Sequence, residues 1–370
     1  MAHGPVERVR LTFQPGGRRR GSVRGAATTI ATLIAVSAFV PACRSSASGP
    51  QAGATRAGAS EATRAATSKP SVIIDTDLSL WWDDPTAIGL ANVLQQRRAI
   101  RILGVVSDVP NAVAVAAIDA INTAYGHGDI PLGAVANSDA DTFAHGYTDK
   151  LASRLPHSVK TSHDVPGAVP LYRRLLASEP DHLVTIVSLG GYTNLAGLLD
   201  SKRDGASALD GRTLVEKKVK RLVIMDGLFP GGAPALTNQK IDLAAASAVV
   251  GGRGWPTPIA WVDGFGGINT KVGATLCTTA PTDHPMRVVY EALFGCGPPG
   301  DGNWDAPALL YALGDSERVF SELGQGGAAV INAQGGLSWE TPSPRKHDVY
   351  VHVVDQPTLN RRIDELLVAR

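Results

Sequence analysis

From residue 71 onward, short apolar runs rich in β-branched residues alternate with longer stretches whose apolar positions recur at helical spacing. The runs "SVIID" (71–75), "IRILGVVS" (100–107), "PLGAVA" (131–136), "HLVTIVSL" (182–189), "RLVIMDG" (221–227) and "PIAWVDG" (258–264) predict buried strands. Between them, "PTAIGLANVLQQRR" (85–98) places Ala87, Leu90, Ala91 and Leu94 on one helical face. The segments 111–126, 168–178, 194–200 and 242–250 continue the alternation as helices. Strand, helix, strand, helix predicts an α/β fold, with an open, mostly parallel Rossmann-like sheet and helices on both faces. No repeat and no linker-like break interrupts residues 71–370, so they are expected to form one domain. Near its end, "AAVIN" (328–332), "DVYVHVV" (348–354) and a last helix from about Gln356 are less regular and are expected to close a sheet edge.

The first 70 residues read differently. Residues 1–25 hold six arginines and one acid, and an apolar run then leads to Cys43. That order reads as an export signal over residues 1–43, and the run is short for a membrane span of about 20 residues. "FVPAC" resembles a bacterial lipobox with Pro41 as its unusual member, so lipidation of Cys43 is expected beside export. Residues 44–70 are mostly Ser, Ala, Gly and Thr and read as a flexible tether. A lipid on Cys43 would be the only membrane contact. Lys+Arg 35 against Asp+Glu 34 gives no reason to expect a nucleic-acid polymer as partner. In an exported chain, Cys277 and Cys296 read as a disulfide sooner than as metal ligands. The sequence leaves open whether the protein is a homo-oligomer.

In open parallel sheets, ligands gather beyond the carboxyl ends of the strands. Asp75 and Asp77 close the first expected strand, Ser107 and Asp108 the second, Gly190 to Asn194 follow the fourth, and Asp226 and Asp263 close the fifth and sixth. The densest chemistry is "DTDLSLWWDD" (75–84), four aspartates in ten positions. Asp84 before Pro85 reads as a helix N-cap with proline at the first helical position. Carboxylates on both sides of one loop are hard oxygen ligands that suit Ca²⁺ or Mg²⁺ better than Zn²⁺. The plainer reading makes them helix caps and solvated loop charges.

Four segments together carry a resemblance: "DTDLSLWWDDPTAI", "VTIVSLGGYTNLAGLL", "RLVIMDGLFPGGAPALTNQKIDLAAA" and "NWDAPALLYAL". In this order they resemble the inosine-uridine preferring nucleoside hydrolases, and most of all their secreted bacterial relatives. The resemblance implies calcium-dependent hydrolysis of the N-glycosidic bond of a nucleoside-like small molecule. It implies Ca²⁺ ligands at Asp77, Asp84, the Thr193 carbonyl and Asp305, with Asp77 also activating the attacking water. It places Asp83 and Asn238 on the ribose and makes Asp75 a brace that accepts backbone N–H bonds.

The chain departs from that pattern in several places. Leu236 and Thr237 stand where the family has Glu-Phe, and Asp226 where it has Gly. Ser107 and Asp108 occupy the region of an expected asparagine, and Trp304 stands where many members have a histidine acid. Trp304, Trp81, Trp82 and Tyr192 are candidates to stack on a flat aglycone, and Asp226 and Asp108 to replace lost polar contacts. His127, His145, His157, His163 and His284 lack metal spacing and read as surface residues. Two alternatives stand beside the hydrolase. One is an exported protein that binds a nucleoside or sugar with calcium and does not cleave it. The other is a haloacid dehalogenase-like phosphatase, suggested by "VIIDTDLS" alone.

Overall fold

Five of the six residues of Ser71–Thr76 are apolar or small and uncharged, and all six are buried in strand β1. The chain is described from a computed structural model covering residues 69–79, 81–135, 146–297, 302–315, 317–345 and 347–370. The expected signal segment with Cys43, nearly all of the tether and His145 lie outside the described residues. Side chains alternate across β1. Val72 and Ile74 join one core layer, and Ile73 joins the layer on the opposite face. Each isoleucine is fully buried and contributes about 1.5–3 kcal/mol through removal of apolar surface from water.

All six expected strands form: β1, β2 (Arg101–Ser107), β3 (Leu132–Ala134), β4 (Val184–Ser188), β5 (Val219–Met225) and β6 (Ile259–Val262). They lie in the order β3-β2-β1-β4-β5-β6 with every neighbouring pair parallel. Helices Asp83–Gln96, Ala114–Ala124, Pro285–Phe294, Asp305–Leu313 and Gln356–Leu367 cover the face of Ile74. Helices Ala168–Ser178, Thr193–Asp200, Gly211–Lys218 and Leu243–Val250 cover the other. The strand order reverses at β1, which lies between β2 and β4 and so opens a crevice beyond its carboxyl end.

The C-terminal region differs in part from its sequence pattern. The run 348–354 gives β10 (Val349–Val353), parallel to β6, and the edge beyond it is β7 (Phe320–Leu323), antiparallel to β10. "AAVIN" does not join this sheet. It forms β8 (Ala328–Ile331), which pairs only with β9 (Leu337–Glu340) in a separate hairpin. Cys277 and Cys296 form a disulfide that ties the short helix Leu276–Thr279 to the turn after helix Pro285–Phe294.

Candidate active site

Strand β1 delivers Asp75 and Thr76, and Asp77 stands just beyond it. Thr76 Oγ1 accepts the Leu78 amide at 3.2 Å and donates to Asp84 Oδ1. One hydroxyl therefore joins the strand end to the start of helix Asp83–Gln96. The loop between them is held at both tryptophans. Tyr147 donates to the Trp81 carbonyl at 2.7 Å, and Thr86 Oγ1 donates to the Trp82 carbonyl at 3.0 Å. Asp84 is not the helix cap expected from Asp-Pro. The helix starts at Asp83 after Trp82, and no side chain caps it. Both carboxylates point elsewhere: Asp84 to Thr76, and Asp83 Oδ2 to the Trp304 amide at 3.2 Å.

That last bond draws in the late segment, because Trp304 precedes Asp305, the first residue of helix Asp305–Leu313. Asp83, Asp84 and Asp305, all buried, present oxygens within 4.8 Å of one another. Asp77 is not one of this trio, although the family pattern would put it on the metal in place of Asp83. It hydrogen-bonds the Asp84 carboxyl and feels the charges of Asp108 and Asp83. Asp75 braces the strand end through side-chain donors beside a backbone hydrogen bond at Thr76. Tyr172 donates to it at 2.8 Å and Asn194 at 2.9 Å, and Asn194 also reaches the Ser107 carbonyl at 3.1 Å.

Asp108 is the residue that sequence reasoning undervalued. It follows β2, is buried, and takes a backbone hydrogen bond at Gly191. A Cβ on Gly190, which follows β4, would lie 2.6 Å from Asp108 Oδ2 and 2.6 Å from the Asp77 amide nitrogen. The absent side chain lets three strand ends meet. The signal was the strand order: β2 and β4 both flank β1, so their carboxyl ends meet at Asp77.

Burial raises the pKa of Asp77, Asp84, Asp108 and Asp305 well above the usual carboxylate value, and loss of water is the largest cause at each. Mutual repulsion adds to it: Asp108 then Asp83 act on Asp77, Asp77 and Asp83 on Asp84, and Asp83, Asp84 and Asp77 on Asp305. Asp77 Oδ2, Asp84 Oδ2 and Asp305 Oδ1 are buried without a hydrogen-bond partner. Among the described residues, Asp77, Asp84, Asp108 and Asp305 make no ion pair with Lys or Arg. Orphaned, converging carboxylate oxygens without a protein cation fit a hard divalent ion, and they do not resemble a nitrogen or sulfur site.

The other candidates surround this centre. Thr193 opens helix Thr193–Asp200, and its hydroxyl donates to Asp242 at 3.3 Å. Asn238 Nδ2 donates to the carbonyls of Leu189 at 3.0 Å and Met225 at 3.1 Å, tying the ends of β4 and β5 beside Gly190. Asp226 accepts from Tyr192 and from the Gly227 amide, both at 2.7 Å, and burial raises its pKa to about 6. Tyr192 is wholly buried, so its ring is not the stacking surface the sequence suggested. Trp81 is 44% exposed, and Trp82 and Trp304 are half-buried. The Trp82 ring centre lies 6.1 Å from Trp81, 5.3 Å from Phe294 and 6.4 Å from Trp304. His284 is not a surface residue. Its ring is buried against Tyr125, and its Nε2 contacts the Ala369 carbonyl at 3.1 Å.

Comparison with known proteins adds to this geometry. The sequence model of the family described as inosine-uridine preferring nucleoside hydrolase matches residues 72–291, short of Trp304 and Asp305. No curated protein matches the chain. A solved plant nucleoside hydrolase is similar over 82% of this chain and 100% of its own, with 18% identity and a TM-score of 0.60. An inosine-uridine preferring nucleoside hydrolase from Bacillus anthracis covers 81% of this chain and 99% of its own, with 15% identity and a TM-score of 0.61. The type III effector XopQ, solved with adenosine diphosphate ribose, covers 85% and 99%, with 16% identity and a TM-score of 0.59. At these identities the solved structures speak for the fold.

Proposed function

Since the chain belongs to the inosine-uridine preferring nucleoside hydrolase family, and so is a hydrolase acting on N-glycosyl bonds, we propose that it cleaves a ribonucleoside or related N-riboside with the help of Ca²⁺, releasing ribose and the base. The observation that carries this reading is the set of buried carboxylates at the strand-order reversal, with orphaned oxygens on Asp77, Asp84 and Asp305. Asp84 and Asp305, with Asp77 and the Thr193 carbonyl, would hold the ion. When bound, Ca²⁺ supplies fixed positive charge that orients vicinal hydroxyls and makes a nearby water more acidic.

The chain's own residues do the rest. Asp77 takes the proton of the attacking water, a role suited to a carboxylate that stands just beyond the end of β1 beside Asp84. Asp83 holds a ribose hydroxyl, and Asn238 stands on the β4–β5 side of the same corner. The surrounding carboxylates stabilise positive charge as it grows on the sugar. A neighbour solved with adenosine diphosphate ribose supports a nucleoside-like small molecule as the ligand. The family match leaves the phosphatase alternative without support. We also infer export, which the Cys277–Cys296 disulfide supports, because such bonds persist in oxidising compartments.

The test is ribose release from a nucleoside panel with calcium or with chelator. Chelation should abolish release, and Asp77→Asn should lower it by about 10² or more. Undiminished turnover in Asp77→Asn would refute its role, and chelator-resistant turnover would refute calcium dependence.

A further inference from the structure

The converging carboxylates come from two helix starts. Asp83 and Asp84 open helix Asp83–Gln96, and Asp305 opens helix Asp305–Leu313. The two starts are remote in sequence, so their spacing depends on contacts that cross between them. One is the Trp304 amide donating to Asp83 Oδ2 at 3.2 Å. A second runs through Tyr290, a residue of helix Pro285–Phe294 that belongs to neither start.

Thr86 Oγ1 lies 3.2 Å from the Tyr290 hydroxyl and 3.0 Å from the Trp82 carbonyl. A carbonyl only accepts, so the Thr86 proton goes to Trp82 and Tyr290 donates to Thr86. The Asn303 side chain adjoins the same tyrosine hydroxyl as a weaker donor, its Nδ2 having no nearer partner. Asn303 is itself held, since its Oδ1 accepts the Ala306 amide at 3.0 Å and its amide donates to the Gly267 carbonyl at 3.0 Å. Donation therefore runs from Asn303 to Tyr290, from Tyr290 to Thr86 and from Thr86 to the Trp82 carbonyl. It starts just before Asp305 and ends just before Asp83. Thr86, Tyr290 and Asn303 are buried, so water does not compete for these groups.

The ring that carries the hydroxyl is seated. A Cβ on Gly273 would lie 2.1 Å from Tyr290 Cε1, so bare backbone makes room for the ring. A Cβ on Gly89 would lie 2.7 Å from Met286 Sδ, so helices Asp83–Gln96 and Pro285–Phe294 approach closely beside it. At the end of the second helix, Phe294 meets Trp82 at 5.3 Å between ring centres. Across the gap, Asp83 and Asp84 repel Asp305, so a tie between the helix starts opposes their separation.

We propose that Tyr290 is a positioning residue of the ion centre: its hydroxyl, set between Thr86 and Asn303, fixes the distance between the helix start that carries Asp83 and Asp84 and the one that carries Asp305. The inference rests on the calcium-dependent reading above and adds to it a residue that touches neither ion nor substrate. Ca²⁺ takes oxygens at about 2.3–2.6 Å, and loss of a partner that orients its ligands costs about 10–100-fold in affinity.

Tyr290→Phe keeps the ring and removes only the hydroxyl. In calorimetric titration of the full chain its calcium Kd should rise by about tenfold. Half-saturating calcium for ribose release should rise alike, and excess calcium should recover the lost turnover. Thr86→Val should weaken binding in the same way, and Thr86→Ser should restore it. Tyr290→Phe combined with Thr86→Val should weaken binding no more than the stronger single change, because both break one chain. Tyr311→Phe removes a hydroxyl bonded to Glu322 of β7 and should bind calcium as the parent does. The metal-free Tm of each variant separates ion binding from folding. Parental affinity in Tyr290→Phe, or additive losses in the double variant, would overturn the inference. Should Tyr290→Phe fail to fold, the Thr86 variants decide, and equal affinity of Ser and Val would overturn it. Calcium binding without ribose release would overturn the hydrolase reading and leave the role of Tyr290 standing. A parent that binds no calcium would overturn both.

Discussion

Gly190→Ala is the sharpest perturbation of the site, because it adds one methyl and touches no charge. Gly190 is not among the glycines with positive φ, so alanine meets no backbone penalty and the effect is steric. The new Cβ would sit 2.6 Å from the Asp77 amide nitrogen, 2.6 Å from Asp108 Oδ2 and 2.7 Å from Asp77 Cβ. Ordinary contact begins at 3.4 Å, so 3.4 minus 2.6 requires a displacement of roughly 0.8 Å. Asp108 has a side chain that can yield, but the Asp77 amide is backbone. Moving it strains the β1–β4 junction, where the Leu189 amide donates to the Asp75 carbonyl at 2.8 Å. Overpacking of this kind costs about 1–3 kcal/mol, and a weakened buried hydrogen bond adds about 1. For a domain of about 300 residues that is a fall in Tm of roughly 3–6 °C. Calcium affinity should fall by about tenfold or more, since Asp77 moves against Asp84. Thermal unfolding with and without calcium, beside calorimetric titration, reads both effects. Gly205→Ala, where no atom lies within 4 Å of the new Cβ, is the matched control. If Gly190→Ala keeps the Tm of the control and binds calcium as well as the parent, the strand ends do not meet as described.

Two more predictions rest on other parts of the fold. Burial raises Asp226 from 3.8 to about 6, and a raised folded-state value stabilises fully below the ordinary value and loses that contribution as pH climbs through the raised one. Metal-free protein should therefore weaken between about pH 4 and 6, and Asp226→Asn should flatten that part of the urea-midpoint profile; parallel profiles would show that Asp226 titrates normally. The Cys277–Cys296 bond closes a loop of 19 residues, so reduction should lower stability by about 3 kcal/mol, measured as the denaturant midpoint with and without reductant. No change would mean that packing alone holds the turn beside Phe294.

The strands were legible because burial on two faces demands continuous apolar runs, and such runs survive in composition. β1 shows this plainly, as does helix Ala168–Ser178, whose ends coincide with the sequence pattern. The helices Tyr147–Arg154, Gly211–Lys218 and Pro285–Phe294 fall outside the regular strand–helix alternation of the sequence, although Asp210 caps the second and proline opens the third. The hairpin partner of "AAVIN" was illegible for another reason. A four-residue strand carries no mark of which edge it will pair with, and β8 and β9 are each that short.

The same division runs through the site. The sequence by itself determined that Asp75, Asp77, Asp83 and Asp84 gather about one short loop, since covalent connection keeps near neighbours near. It also carried the resemblance that made Asp305 a candidate. Only the tertiary structure decided which oxygens converge: Asp83 with Asp84 and Asp305, Asp77 beside them, and Asp108 pressed in through the gap at Gly190. It likewise turned Asp84 from a helix cap into a partner of Thr76, buried the ring of Tyr192 that was a stacking candidate, and withdrew His284 from the surface. The physical reason is that burial and carboxylate repulsion depend on distances between strand ends, and those are set by the order of strands in the sheet. A local pattern states what each strand is; the order in which the strands pair is a global choice among competing burials.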